Sequence, residues 1–213
     1  AGTTFADPII LSHLLVLWTI LVTLHRAQLV SNALHRPDGL EIFFQLPLSN
    51  LAVFRHQARL IFRGSLWLGG DWLAFAVVVA AHSGSGWAWL AAPLVAFVQW
   101  AVSLALAVML ARWNPRFPYG SVAGVLWFVL WIGLQFAGKS TDTASLVLPF
   151  FRGLKHFTPA GWIASAGDFA AHGGLLAWLG LIGTGFGMCF LLRSGVASLR
   201  ADFSLERLFG YKA

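Results

Sequence analysis

Charge is what this sequence has least of. Only 10% of its 213 residues are Asp, Glu, Lys or Arg, against about 25% in an average soluble domain. So few solvated groups exclude an ordinary water-exposed globule. Cysteine is nearly missing as well: Cys189 is the single thiol, which excludes an internal disulfide framework. No HExxH pair occurs, so one common signature of zinc chemistry is lacking; the spelling GxxxxGK(S/T) is met once, GLQFAGKS from Gly133 to Ser140, but it ends an apolar run rather than joining a strand to a helix and is not read as a phosphate loop. The HSGSG turn, His82 to Gly86, puts serine beside histidine, but neighbours in sequence do not make a nucleophile–base pair. An intramembrane enzyme is therefore the least favoured class. The net charge of +6 forms no arm or stripe, so nucleic acid is not the expected partner.

What is present is grease. Hydrophobic residues make up 58% of the chain and its mean hydropathy is +0.75. Apolar runs at 8–24, 65–81, 87–111, 121–138 and 174–192 approach the 18 to 20 residues that cross about 30 Å of hydrocarbon. Between the last two, the stretch 144–171 is apolar but broken by Pro149, Gly153, Pro159, Gly161 and Gly167. Short helical pieces dipping into the membrane or lying on it suit that punctuation. The expected fold is an all-α polytopic transmembrane helical bundle. It has five visible spans plus a broken re-entrant or interfacial helical hairpin, with 1–213 as a single transmembrane domain.

Basic residues set the orientation. Arg26, Arg36, Arg55, Arg59 and Arg63 follow the first span, Arg112 and Arg116 the third, and Arg193, Arg200, Arg207 and Lys212 the fifth. The opposite side receives only Lys139, Arg152 and Lys155. Positive-inside then puts the N-terminus outside and the C-terminus in the cytoplasm of an inner-membrane protein. An outside N-terminus without a cleavable leader leads to the expectation of a six-span unit whose first span precedes Ala1. The tryptophans, Trp72 and Trp113 among them, read mostly as interface anchors.

The segment 26–64 is expected to be cytoplasmic. Ser49 after Pro47 is a helix N-cap candidate, and Arg55, Arg59 and Arg63 would then share one face. Leu51, Phe54, Ala58, Leu60 and Phe62 would lie opposite. Such a helix either rests in the interface with its arginines on anionic headgroups or docks another subunit. Inside the spans, Asp71, Gln99, Ser103 and Gln135 are the polar candidates for a translocation path, although helix-to-helix hydrogen bonding is the commoner role. His13 is a candidate partner for Asp71. Gly183, Gly185 and Gly187 of GTGFG read as close helix packing.

The run DGLEIFFQLPLSNLAVFRHQ, with Asp38, Glu41, Ile42, Phe43, Phe44 and then Leu46, Pro47, Leu48 and Ser49, resembles the cytoplasmic segment of ABC exporter permeases. The run LPFFRGLKHFTPAGWIASAG, Leu148 to Gly167, is similar to the stretch that forms a re-entrant external hairpin before that family's last span. The likeness extends roughly from Arg36 to Arg200. It implies alternating access driven by a separate ATP-binding subunit, which would hold ATP and Mg, with no cofactor in this chain. It also implies a dimer or pseudo-dimer of permease units in the bilayer. Phe43, Phe44, Leu46, Leu48 and Phe54 would fill a groove on the ATPase, with Arg55 and Arg59 at its rim. The alternative is a non-catalytic accessory or scaffold subunit of a larger membrane complex. Haem or pigment would then fall to the outer-side histidines His13, His82 and His172.

Overall fold

The computed structural model of the chain describes residues 8–35, 43, 46, 48–83, 85–137, 162, 166, 170 and 172–204. Among these, five helices follow in order: α1 (Pro8–His35), α2 (Asn50–Ser83), α3 (Gly86–Trp113), α4 (Tyr119–Ala137) and α5 (Leu175–Asp202). The described residues contain no strand. Each expected span falls on one of the five helices. Two of them, α3 and α5, are long and apolar enough to cross a membrane. Of the broken stretch 144–171, only Trp162, Ala166 and Ala170 lie within the described residues.

Helix α3 is the axis of the bundle: α1, α2 and α5 all pack along it, and α1 also meets α2 and α4. Small side chains make this possible. Ala88, Ala92 and Ala96 recur every fourth residue and meet Trp72, Ala76 and Ala80 of α2. On another face Val98 and Val102 meet Leu181 of α5 and Ala170. Small residues let helix backbones approach closely where water supplies no hydrophobic drive. Gly185 joins this packing, since a Cβ there would lie 3.3 Å from Val98 Cγ2. Gly183 and Gly187 face open space, so only one of the three glycines in GTGFG serves close packing.

The outer surface is the reverse of a soluble domain's. The apolar window of α3 is 61% buried, that of α5 only 11%. Leu175, Leu176, Leu179, Phe186 and Phe190 on α5, and Val125, Trp127, Phe128 and Val129 on α4, are all exposed. Large apolar groups of α4 and α5 lie outside, while alanines of α3 and the polar Ser103 and Gln99 lie inside with Trp72, Phe54 and Leu181.

Two boundaries differ from the expectation. Helix α1 does not end near residue 24; it continues to His35 because Val30 and Leu34 pack with Phe54, Val108, Ala111 and Leu199. Its added turns also brace the α3–α4 turn. Ser31 Oγ donates to Pro115 O, and the Gly120 N–H donates to Gln28 Oε1 at 3.0 Å. Tyr119 closes that turn from within, its hydroxyl donating to Leu110 O at 2.5 Å and Asn114 O at 3.0 Å.

Helix α2 is likewise one piece. It starts where Ser49 caps it, Ala52 N–H donating to Ser49 Oγ at 3.3 Å. It then runs through Gly64 and Gly70 to Ser83 without a break, about 51 Å of rod at 1.5 Å per residue. The arginine-bearing segment and the second span are therefore coaxial. The inward stripe of its first half is Phe54, Ala58, Ile61 and Ser65, spaced by four and three. Leu60 and Phe62, expected on that stripe, are exposed.

Candidate functional site

The polar residues of three greasy helices converge at one place. On α1, Thr19, Thr23 and Arg26 recur at i, i+4 and i+7, which stacks them on one face. On α3, Gln99 and Ser103 are one turn apart. On α2, Ser65 and Trp72 are two turns apart. All seven are buried.

Arg26 is the centre of this cluster, 1% exposed. Its Nη1 donates to Trp100 O at 3.1 Å and to Ser103 Oγ. Its Nη2 donates to Ser65 O at 2.7 Å. The guanidinium carbon lies 4.8 Å from the centroid of the Trp72 ring, a cation–π placement. Trp100 Nε1 donates to the same Ser65 O at 3.0 Å, so one carbonyl of α2 receives donors from both α1 and α3. Above this level Trp72 Nε1 donates to Thr19 Oγ1 at 3.1 Å, and Thr19 Oγ1 donates to Gln99 Oε1 at 3.5 Å.

The cluster is deep. Ser103 precedes Trp113, itself 86% exposed at the end of α3, by about 15 Å of helix. Removing a guanidinium from water costs several kcal/mol. Here every hydrogen-bond acceptor of Arg26 is neutral, two carbonyls and a hydroxyl. No carboxylate among the described residues pairs with it. Arg26 Nε and Ser65 Oγ are buried without a hydrogen-bond partner. The site is thus a fixed positive charge held by dipoles in an apolar bundle, with unused donor capacity beside it.

The structure brings Gln99 and Ser103 together with Arg26. Asp71, beside Trp72 in sequence, is half-buried and makes no hydrogen bond or ion pair with the described residues. The side chains of His13, His82 and Gln135, and all of Phe44, lie outside the described residues. His172 is exposed, and no group of three His, Cys, Asp or Glu among the described residues could hold a metal ion.

At the other end of α2, Leu46, Leu48, Arg55 and Arg59 are exposed, while Phe43 is half-buried with its ring centroid 5.6 Å from that of His56. Phe54 is not at the surface: it is 4% exposed and packs on Phe203 at 5.6 Å between centroids. As it stands here it fills this chain's own core rather than a partner's groove.

Sequence reasoning missed Arg26, Thr19 and Trp72. Arg26 was counted among loop cations because it lies two residues past the apolar run 8–24, and Trp72 among interface anchors although it is fully buried. The signal that finds them is the three-residue polar stripe Thr19, Thr23 and Arg26 at i, i+4 and i+7 on an otherwise apolar helix, matched by Gln99 and Ser103 at helical spacing. No family model, curated protein or solved structure matches the chain, so function is argued from these residues.

Proposed function

We propose that the chain is the membrane-spanning permease subunit of an ATP-driven exporter. In this reading each of its five helices carries one span of the inner membrane, its C-terminus is cytoplasmic, and nucleotide hydrolysis belongs to a separate ATP-binding subunit. The inverted surface, with Leu176 and Phe190 outside and Arg26 and Gln99 inside, supports residence in a bilayer.

The observation that carries the transport reading is the continuity of α2. One unbroken helix starts beside the exposed Leu46 and Leu48, carries the exposed Arg55 and Arg59, and reaches the buried cluster at Ser65 and Trp72. A partner gripping the exposed end can therefore act on the polar centre without a hinge in between. Coupling of this kind requires unequal contacts in two states. The Ser65 carbonyl supplies them: it holds the donors of Arg26 and Trp100 in the state described here and releases them when α2 shifts. Arg26, Gln99 and Ser103 then become the polar lining of an opened path, and the positive centre favours a substrate carrying negative charge.

The test is gentle purification from native membranes with identification of the co-purifying chains and assay of ATP hydrolysis. A stoichiometric ATP-binding subunit, released by charge reversal at Arg55 and Arg59, is the expected result. A complex that lacks any ATPase, or that absorbs visible light through a bound pigment, would overturn the reading in favour of a scaffold subunit.

A further inference from the structure

A second site lies where α2 and α5, both packed on α3, leave a groove between them. Its walls are Ala58 and Phe62 of α2 and Val196 and Leu199 of α5, its floor is Leu104 and Val108 of α3, and α1 contributes to one end. Every lining side chain is apolar. The contact of Phe54 with Phe203 shuts the groove toward the helix ends, each ring being one turn beyond the wall residues Ala58 and Leu199. Its volume is about 80 Å³. That admits a stretch of one acyl chain and excludes a helix about 10 Å across.

The rim is cationic on both sides. On α2, Arg59 sits next to Ala58 and one turn before Phe62, and Arg55 precedes Phe62 by two turns on the same stripe. On α5, Arg193 sits next to Leu192 and one turn before Val196, and Arg200 is one turn beyond it. All four arginines are exposed. Because α2 and α5 flank the groove and run in opposite directions, these positions fall on the same open edge of both walls. The described carboxylate at this end, Asp202, is close enough to His35 to act on its charge. A narrow apolar floor beneath a double row of guanidinium groups matches an amphiphile with a single anionic head.

We infer that this groove is a binding site for one acidic phospholipid, an acyl segment lying along Val108 and Val196 and the phosphate gripped between Arg59 of α2 and Arg193 and Arg200 of α5. Guanidinium and phosphate pair through two parallel hydrogen bonds, which gives such a site geometry as well as charge. The inference rests on the membrane residence proposed above and shares only Arg59 with the proposed ATPase contact.

The experiment is native mass spectrometry of the detergent-purified, delipidated chain offered phosphatidylglycerol or phosphatidylcholine of identical acyl composition. One phosphatidylglycerol is expected to stay bound per chain, with a preference of about tenfold or more from two arginines near the headgroup. Arg193→Gln with Arg200→Gln should reduce retention to the phosphatidylcholine level. Arg112→Gln with Arg116→Gln, exposed cations on the α3–α4 turn, should leave it intact. Equal retention of both lipids by the unaltered chain, an unchanged preference in the α5 variant, or the same loss in the turn variant would each overturn the site. A chain that stays dispersed without detergent would instead overturn the membrane reading itself, so the two failures are distinguishable.

Discussion

Arg26 can be removed in two ways that the structure says differ. Its hydrogen bonds to Trp100 O, Ser103 Oγ and Ser65 O are charge-assisted, about 1.5–3 kcal/mol each. The Trp72 face adds about 2 kcal/mol when desolvated. Against them stands the lost hydration of a buried ion, several kcal/mol after relaxation. The two sides oppose each other, and replacing a buried charged cluster by apolar groups of similar volume is often neutral or stabilising. Arg26→Met keeps most of the volume and drops the charge. It also strands no acceptor, because Ser103 Oγ still donates to Trp100 O at 3.0 Å and Trp100 Nε1 to Ser65 O at 3.0 Å. Its stability is therefore expected within about 1 kcal/mol of the parent, or higher. Arg26→Ala empties the site and is expected to lose about 2–4 kcal/mol through the cavity. The measurement is reversible unfolding in mixed micelles followed by circular dichroism, on both variants. A loss for Arg26→Met as large as for Arg26→Ala would refute that expectation and make the charged network the support of the fold. In the exporter reading proposed above, a stable Arg26→Met chain that fails to sustain ATP-driven transport identifies the charge as functional.

Other consequences are sharper still. A Cβ at Gly195 would meet Val108 Cγ1 at 2.8 Å, and a β-branched side chain has little freedom to yield. Gly195→Ala should cost about 1–3 kcal/mol and be rescued by Val108→Ala in a double-mutant unfolding cycle. Gly187→Ala, facing open space, should be neutral or stabilising by up to about 1 kcal/mol. Burial lowers the pKa of His35 below the usual 6.5, with Asp202 opposing, and its Nε2 is buried without a partner. The unfolded chain then takes up this proton first. The stabilising effect is complete above pH 6.5 and lost as the pH falls below it. His35→Asn should flatten the fall in thermal midpoint toward acid and Asp202→Asn steepen it. Charge reversal at Arg55 and Arg59 should lower recovery of the ATP-binding subunit on affinity purification while circular dichroism stays unchanged.

Much of the fold was legible because hydropathy is a local signal: runs at 87–111 and 174–192 translate directly into α3 and α5. The helix ends were not, because they depend on tertiary contact. Val30 and Leu34 extend α1 only because Phe54, Val108 and Leu199 wait beside them, and nothing near residue 24 announces that. The site was half legible. Gln99 and Ser103 stand out as polar residues in an apolar run. Arg26 does not, because an arginine just past such a run reads as a topology signal whether it faces water or another helix. The decisive fact, that Ser65 O and Trp100 O lie where its two arms reach, belongs to three helices at once. Gly183 and Gly187 show the converse, a motif legible in sequence with no packing partner behind it.

The unbroken α2 has a mechanical consequence. The carbonyl that takes donors from two other helices, Ser65 O, lies near the middle of the rod, about 22 Å from Asn50 and about 27 Å from Ser83 at helical rise. The arms of the rod on either side of that level are nearly equal. A tilt that swings the arginine-bearing end a few ångströms one way carries the far end a similar distance the other way. In the exporter reading proposed above, such a rod links the two ends of the bundle, closing one in the stroke that opens the other.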